Sequence, residues 1–240
     1  MSEMTLLSYG ASHEQQVEWF ESASAGRVRG LAMLVHGGFW RGRFNAGMMH
    51  PMVQDLLADG WAVANIEYRR GGCGGQWPVI LEDVQLAMRQ CRSRWEGRDG
   101  PCIGIGHSVG GELVLLAEKE QDAVVALSPV TDVPRTQREG LGEDAAVEFF
   151  GATAEQAPDV YRQASPLALL PLHWPVLLVH GDQDERVPVE HSRDYVRQAG
   201  GVHLDYREWP GLNHMDMIDP AAEHWADVKR WMQEQAAHRS

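Results

Sequence analysis

The stretch that decides the fold is Ile103-Gly104-Ile105-Gly106-His107-Ser108-Val109-Gly110-Gly111. It predicts a buried strand over Cys102–Ile105, a sharp turn, and a helix from Val109 to about Lys119. The turn carries the pattern Gly-x-Ser-x-Gly, which holds a serine in strained backbone geometry with its hydroxyl exposed. The helix N-terminus that follows presents unpaired N–H groups and a partial positive charge. Ser108 is therefore a candidate nucleophile; the alternative is a helix-capping serine in a nucleotide-binding turn.

Length, composition and charge bound the class of protein. A chain of 240 residues with 44% hydrophobic and 23% charged residues predicts one soluble domain over 1–240. The net charge of −13 disfavours nucleic acid and anionic membranes as partners, because both need basic patches. No apolar run is long enough to span a bilayer.

Cysteine usage and the N-terminal residues bear on location and cofactors. Residues 1–16 lack the basic and apolar regions of a secretory signal. The three cysteines, Cys73, Cys91 and Cys102, do not form a disulfide pattern, which favours a reducing cytoplasm. No close Cys/His cluster suggests a metal, and we expect no cofactor.

Strand-like and helix-like segments alternate along most of the chain. Strands are predicted at 16–21, 31–35, 61–66, 102–105, 123–127, 175–179 and 202–209, and helices at 46–59, 77–95, 109–119, 188–199 and from Asp219, with Pro220 at the first helical position. This alternation predicts the α/β class, with a mainly parallel, doubly wound sheet. Residues 131–173 break the rhythm and predict a small cap or lid insertion of short helices over the site.

Three strand ends offer the residues of a nucleophilic site. Ser108 follows a central strand, Asp184 follows the strand at 175–179, and His214 follows the last strand. A serine hydroxyl needs a base to take its proton, which His214 can supply. Asp184 would hold the imidazole in the correct tautomer and stabilise the imidazolium.

Each of these choices has alternatives. Asp182 and Glu185 lie near the candidate acid, and Asp184 could simply cap a turn. His180 and His191 are expected to be structural, His203 is another late histidine, and His36 is expected to donate a hydrogen bond that stabilises its loop. Other residues noted near the site are Asp216 as a loop support, Trp40, Trp77 and Tyr68 as pocket walls or core, and Arg41 and Arg43 as contacts for an acidic substrate or as solvated surface charges.

The order Ser, Asp, His is that of α/β-hydrolases, and the chain resembles an esterase or lipase of that superfamily over roughly residues 30–235. The loop His36-Gly37-Gly38-Phe39-Trp40 resembles that of kynurenine formamidases (arylformamidases) and related small carboxylesterases. The segment His180-Gly181-x-x-Asp184-x-x-Val187-Pro188 resembles the acid loop of the superfamily. An oxyanion intermediate needs preorganised donors, for which we expect the N–H groups of Gly38, Phe39 and Val109.

These observations predict a metal-independent serine hydrolase that cleaves a small carboxylic ester, or a related acyl bond, through an acyl-enzyme. The first alternative is an arylformamidase that hydrolyses N-formylkynurenine. The second is a non-catalytic hydrolase-fold protein that binds a small ligand. The expected partner is a small-molecule ester or amide, and a homodimer is left open.

Overall fold

A single mixed sheet forms the centre of the molecule. A computed structural model describes residues 4–21, 28–201 and 203–237. Within them the strands are β1 Met4–Ser8, β2 Gln16–Phe20, β3 Leu31–Val35, β4 Ala62–Ile66, β5 Cys102–His107, β6 Ala123–Leu127, β7 Val176–Gly181 and β8 Leu204–Trp209. Their order across the sheet is β1-β2-β4-β3-β5-β6-β7-β8, and every pairing from β4 to β8 is parallel. The predicted mainly parallel sheet is confirmed.

Helices cover both faces of this sheet. They are α1 His50–Ala58, α2 Val79–Trp95, α3 Val109–Leu116, α4 Val133–Arg138, α5 Leu141–Phe150, α6 Pro158–Gln163, α7 Glu190–Ala199 and α8 Glu223–Ala237. Apolar residues of α2 and α3 form one core against the sheet, and those of α1 and α8 form a second core on the opposite face. The doubly wound arrangement is therefore confirmed. Within the described ranges, no helix is long and apolar enough to cross a membrane.

The central strands are buried because they are sandwiched between these two layers. Every residue of β3, β4, β5 and β6 is buried, as their continuous apolar runs predict. The two antiparallel strands, β1 and β2, close one edge of the sheet. At the other edge β8 is largely exposed, and it begins at Leu204; the predicted start at Val202 lies outside the described residues.

The segment 131–173 contains α4, α5, α6 and a 3-10 turn at Pro166–Leu169. The first turn of α5 is left-handed, with φ of 65°, 60° and 58° at Gly142, Glu143 and Asp144. Gly142 lies against the ring of Phe39, where an added Cβ would come within 2.7 Å of ring carbons. Phe149 stacks on Trp40 with ring centroids 5.7 Å apart. The segment therefore packs on the loop at 36–40, while its action as a lid, like the single-domain assignment, stays a prediction.

The C-terminal helix begins later than predicted. Asp219 and Pro220 precede α8 in a turn, in which the Asp219 carboxylate accepts a hydrogen bond from the Ala221 N–H. A side-chain acceptor two residues back stabilises this turn in place of a helical cap. Ala221 is exposed, whereas Trp225, Val228 and Met232 of α8 are buried.

Candidate active site

Ser108 occupies a strained turn between β5 and α3. Its backbone has φ 57° and ψ −120°, a left-handed conformation that is costly for a residue with a side chain. The Ser108 N–H donates to the Leu127 carbonyl at 2.9 Å, which ties the turn to β6. A Cβ added at Gly106 would lie 2.1 Å from the Gly110 carbonyl oxygen, and one added at Gly110 would lie 2.0 Å from the Val35 carbonyl oxygen. Only glycine allows the strand and the helix to approach this closely.

Asp184 and His214 are brought together from two loops. Asp184 follows β7 and His214 follows β8, and the Asp184 Oδ2 lies 2.7 Å from the His214 Nδ1. Because a carboxylate can only accept, Nδ1 carries the proton and donates it, which leaves the Nε2 lone pair free to accept. This is the tautomer that a general base needs.

The Asp184 carboxylate is held ionised by its neighbours. Its Oδ1 accepts from the N–H groups of Arg186 at 2.9 Å and Val187 at 2.8 Å. Burial alone would raise the pKa of Asp184, but hydrogen bonds from His180 and His214 outweigh burial and hold that pKa far below its usual range. A fixed negative charge therefore faces His214 at neutral pH.

Ser108 and His214 line the same small cavity, of about 90 Å³. The other lining residues are Gly38, Phe39, Phe44, Met48, His107, Arg186 and Met215. Drug-sized ligands usually occupy sites of roughly 300–1,000 Å³, so this cavity fits only a small group. Its walls are mostly apolar, and the candidate nucleophile Ser108 and the candidate base His214 both line it.

The loop at 36–40 lies directly against Ser108. A Cβ added at Gly37 would lie 2.8 Å from the Ser108 Cβ, so the backbone there touches the serine. Gly38 and Phe39 follow with positive φ angles of 127° and 50°. These angles change the orientation of the peptide planes within the loop. Val109 is the first residue of α3, so its N–H has no acceptor within the helix. Gly38 and Phe39 thus line the same cavity as Ser108, and Val109 directly follows that serine; their service as oxyanion donors stays a prediction.

The alternative acids and bases lie elsewhere. Asp182 accepts from the Gly211 N–H at 2.7 Å, and Glu185 is exposed. His191 is buried in α7 and contacts Glu139 at 2.9 Å, while His203 is exposed on the surface. None of these four residues is among those that line the cavity.

The other residues noted from sequence have supporting roles or surface positions. His36 contacts the Gly37 carbonyl through Nδ1 at 2.7 Å and Glu67 through Nε2 at 3.0 Å, which braces the loop at 36–40 as expected. Asp216 accepts from the Asn213 N–H at 2.9 Å, so it supports the loop that carries His214. Trp40 and Tyr68 are core residues, Trp77 packs against the core, Arg41 pairs with Glu148, and Arg43 lies over the ring of Phe44.

Two histidines that sequence reasoning did not assign to the site contact it directly. His107 is buried, and its Nε2–H donates to the His214 carbonyl at 2.9 Å. Burial and the neighbouring His214 lower the pKa of His107 to about 3, so this ring stays neutral. His180 Nε2 lies 3.2 Å from Asp184 Oδ2 and 2.9 Å from the Val187 carbonyl. The position of His107 inside the Gly-x-Ser-x-Gly pattern was the available signal, but the pattern does not specify that residue.

Larger depressions lie away from this chemistry. One of about 440 Å³ is lined by Arg29, Asp59 and Gln233 among others, near the amino ends of the parallel strands. Chemistry in such sheets gathers at the carboxyl ends, where Ser108 lies. Among the described residues, no cluster of His, Cys, Asp or Glu could hold a metal ion.

Comparisons with known proteins match this chain to esterases and lipases. A model of the BD-FAE family matches residues 21–198. Esterase LipC from Mycobacterium tuberculosis is 28% identical over 224 residues, which cover 80% of this chain and 54% of LipC. The chain therefore spans about half the length of that relative. Monoacylglycerol lipase from Mycolicibacterium smegmatis is 26% identical, with 85% of this chain and 88% of the lipase covered.

Solved structures share the fold. A truncated carbohydrate esterase from gut microbiota superposes with a TM-score of 0.82 at 18% identity, covering 99% of this chain and 96% of that one. The α/β-hydrolase fold predicted from the motif order is confirmed.

Proposed function

The chain belongs to the BD-FAE family, and on that premise we propose that it is a serine hydrolase that cleaves small carboxylic esters through an acyl-enzyme. The observation that carries the proposal is the Asp184–His214 hydrogen bond of 2.7 Å beside the cavity that Ser108 also lines. The names of the relatives, an esterase and a monoacylglycerol lipase, support ester hydrolysis as the reaction class.

In the first half of the reaction, the Ser108 Oγ attacks the ester carbonyl carbon and its proton passes to the His214 Nε2. Asp184 stabilises the imidazolium that forms, because its carboxylate already accepts from Nδ1. The N–H groups of Gly38, Phe39 and Val109 then donate hydrogen bonds to the oxygen that has become negatively charged. One such donor typically contributes on the order of 3 kcal/mol to lowering the barrier.

In the second half, the intermediate collapses and the alcohol leaves with the proton from His214. The acyl group stays on Ser108 as an ester. Water then attacks this acyl-enzyme and His214 takes one of its protons. The bond between the acyl carbon and the Ser108 Oγ breaks, Oγ takes that proton back from His214, and the carboxylic acid is released. His107 holds the His214 backbone throughout, because its neutral ring donates to the His214 carbonyl.

The cavity favours small substrates. Its volume of about 90 Å³ leaves room for a short acyl or alkyl group beside Ser108. Phe39, Phe44, Met48 and Met215 would bury that group by the hydrophobic effect.

Hydrolysis of p-nitrophenyl acetate and butyrate tests the proposal. We expect turnover by the wild type and loss of about 10³-fold or more in kcat for Ser108→Ala. Ser93→Ala, the same substitution at an exposed position on α2, is the matched control and should retain wild-type turnover. Equal turnover by wild type and Ser108→Ala would refute the serine mechanism.

The loop at 36–40 favours formamide hydrolysis as a second candidate, since it resembles that of arylformamidases and lies against Ser108. A formamide carbonyl would use the same nucleophile and the same donors. Comparing kcat/KM for N-formylkynurenine and for p-nitrophenyl acetate on the same preparation decides between the two. A higher value for N-formylkynurenine would make the formamidase assignment the better one.

A further inference from the structure

One charged side chain of the cavity has no part in the proposed machinery. Arg186 lies in the loop after Asp184 and lines the cavity together with Ser108 and His214. Its backbone N–H donates to the Asp184 Oδ1 at 2.9 Å, so the position of the residue is fixed relative to the acid. The side chain itself is exposed and, within the part of the chain that the structure describes, has no carboxylate within ion-pair distance.

The lack of an acidic partner within ion-pair distance is unusual for an arginine among the described residues of this protein. The chain has 34 acidic and 21 basic residues, and most of its described arginines form an ion pair with Asp or Glu. Among the described residues, the exceptions are Arg43, Arg94, Arg138 and Arg186. Arg94 stacks on Trp19, far from the cavity in sequence and topology. Two of the other three, Arg43 and Arg186, flank the candidate active site.

Arg43 is the second of these two. Its guanidinium lies over the Phe44 ring, with Cζ 5.0 Å from the ring centroid, and Phe44 forms part of the cavity wall. Arg41, two residues earlier, contrasts with it because Nη2 contacts Glu148 at 2.7 Å. Positive charge that no acidic residue neutralises is therefore placed beside the cavity from two different loops.

We propose that the substrate carries a carboxylate and that Arg186 binds it, with Arg43 adding to the positive potential. This inference rests on the proposed ester hydrolysis and names the class of ester. The guanidinium presents a planar fork that matches a carboxylate in a bidentate pair. Phe39, Phe44, Met48 and Met215 would pack against the short apolar part of the same molecule.

The net charge of the protein explains why an anionic substrate would need Arg43 and Arg186 near the cavity. A chain with a net charge of −13 repels anions at long range, so an anionic ester needs local cations to reach Ser108. Charged side chains that are already paired cannot supply this attraction, because their carboxylate partners cancel it.

Matched ester pairs test the inference. In one pair the acyl part carries the carboxylate, as in monomethyl glutarate against methyl valerate. In the other the alcohol part carries it, as in 3-acetoxypropanoate against propyl acetate. We expect the wild type to prefer the anionic member of at least one pair, and Arg186→Gln to lower that preference, as a ratio of kcat/KM values, about tenfold. Arg186→Lys, which keeps the charge and loses the fork, should fall between the two.

The control is Arg138→Gln, which removes one positive charge from an exposed position on α4. It should leave the ratio unchanged. Added salt should lower the ratio for the wild type and have less effect on Arg186→Gln, since screening acts on the same interaction.

The outcomes separate this inference from the proposed function. If the wild type hydrolyses the neutral esters and Arg186→Gln leaves the anionic preference unchanged in both pairs, the carboxylate site is wrong while the ester hydrolase stands. An equal effect of Arg138→Gln would also overturn it, because net charge alone would then explain the result. If the wild type and Ser108→Ala are equally inactive on every ester, the proposed function fails and the inference fails with it.

Discussion

Glu112 should make the protein less stable as pH rises through the neutral range, and Glu112→Gln should remove that dependence. Glu112 lies in the first turn of α3, one helical turn after Ser108, and is fully buried. Both carboxyl oxygens lack a hydrogen-bond partner among the described residues. Burial raises the pKa of Glu112 well above its usual range, and the nearby Trp40 indole only partly offsets this effect.

The magnitude follows from the linkage between protons and folding. Below about pH 4.3, the pKa of an unperturbed Glu, the folded and the unfolded chain both hold this proton. Above it the unfolded chain releases the proton while the folded chain keeps it. Each further pH unit then costs about 1.4 kcal/mol of folding free energy, until the pH reaches the folded-state pKa of Glu112. A glutamine ionises in neither state. The free energy of unfolding of Glu112→Gln, relative to that of the wild type, should therefore rise by about 1.4 kcal/mol per pH unit over the same range.

The assay is urea unfolding of wild type and Glu112→Gln at about pH 5, 6 and 7, followed by circular dichroism. Taking the difference between two proteins at each pH cancels the titration of every group that they share, provided that those groups do not couple to Glu112. Glu96→Gln, at an exposed position just after α2, is the control and should give a nearly constant difference. A difference for Glu112→Gln that also stays constant from pH 5 to pH 7 would refute the reasoning.

A neutral Glu112 also suits the proposed chemistry. The Glu112 N–H donates to the Ser108 carbonyl at 3.1 Å, so the carboxyl belongs to the turn of helix next to the nucleophile. A carboxylate buried there would oppose the negative charge that develops on the substrate oxygen. The protonated form avoids that repulsion.

Three further substitutions have expected outcomes. Asp184→Asn should lower kcat on the order of 10⁴-fold, because His214 loses the partner that fixes its tautomer; a loss below tenfold would contradict the role of Asp184. His107→Leu should lower kcat more than it changes KM and cost about 1–3 kcal/mol in urea unfolding, since the buried His214 carbonyl loses its donor; unchanged kcat would rule out positioning by His107. Gly110→Ala should cost about 1–3 kcal/mol or more, because the new Cβ would lie 2.0 Å from the Val35 carbonyl oxygen; wild-type stability in urea would contradict the close approach of α3 to the end of β3.

The sequence allowed the sheet and the three main site residues to be predicted because their signals are local. Continuous apolar runs mark β3, β4 and β6 as buried on both faces, and each is found where its run lies. Glycines at fixed offsets mark the turn at Ser108, since only they permit the close backbone approaches there. In a parallel sheet the carboxyl ends of strands meet at one edge, so the ends of β7 and β8 predict that Asp184 and His214 are neighbours.

The contacts that support the site could not be predicted, because they join residues far apart in the chain. His107 and His214 are 107 residues apart, and nothing in either segment indicates that one ring donates to the other backbone. His180 reads as the end of a strand, yet it lies 3.2 Å from Asp184 because the intervening loop folds back. The protonated state of Glu112 depends on its burial. One charged residue in an otherwise apolar helix does not indicate from sequence that its side chain is buried.

The start of α8 shows how local signals can mislead. Asp219 followed by Pro220 is typical of a helix start, but these residues form a turn that closes with the Ala222 N–H donating to the Asp219 carbonyl, directly before the helix begins at Glu223. The same Asp side chain that caps helices also stabilises such turns, and the sequence does not distinguish the two uses.

The central claim is that Ser108 is a nucleophile activated by His214 beside donors for an oxyanion. Labelling with a fluorophosphonate, followed by mass spectrometry of the digested protein, tests it most directly, and it also separates an enzyme from a ligand-binding protein of the same fold. We predict one adduct, on Ser108, that is absent from Ser108→Ala and much slower to form in Asp184→Asn. Folded protein in which Ser108 stays unmodified, or in which another residue takes the label, would contradict the account.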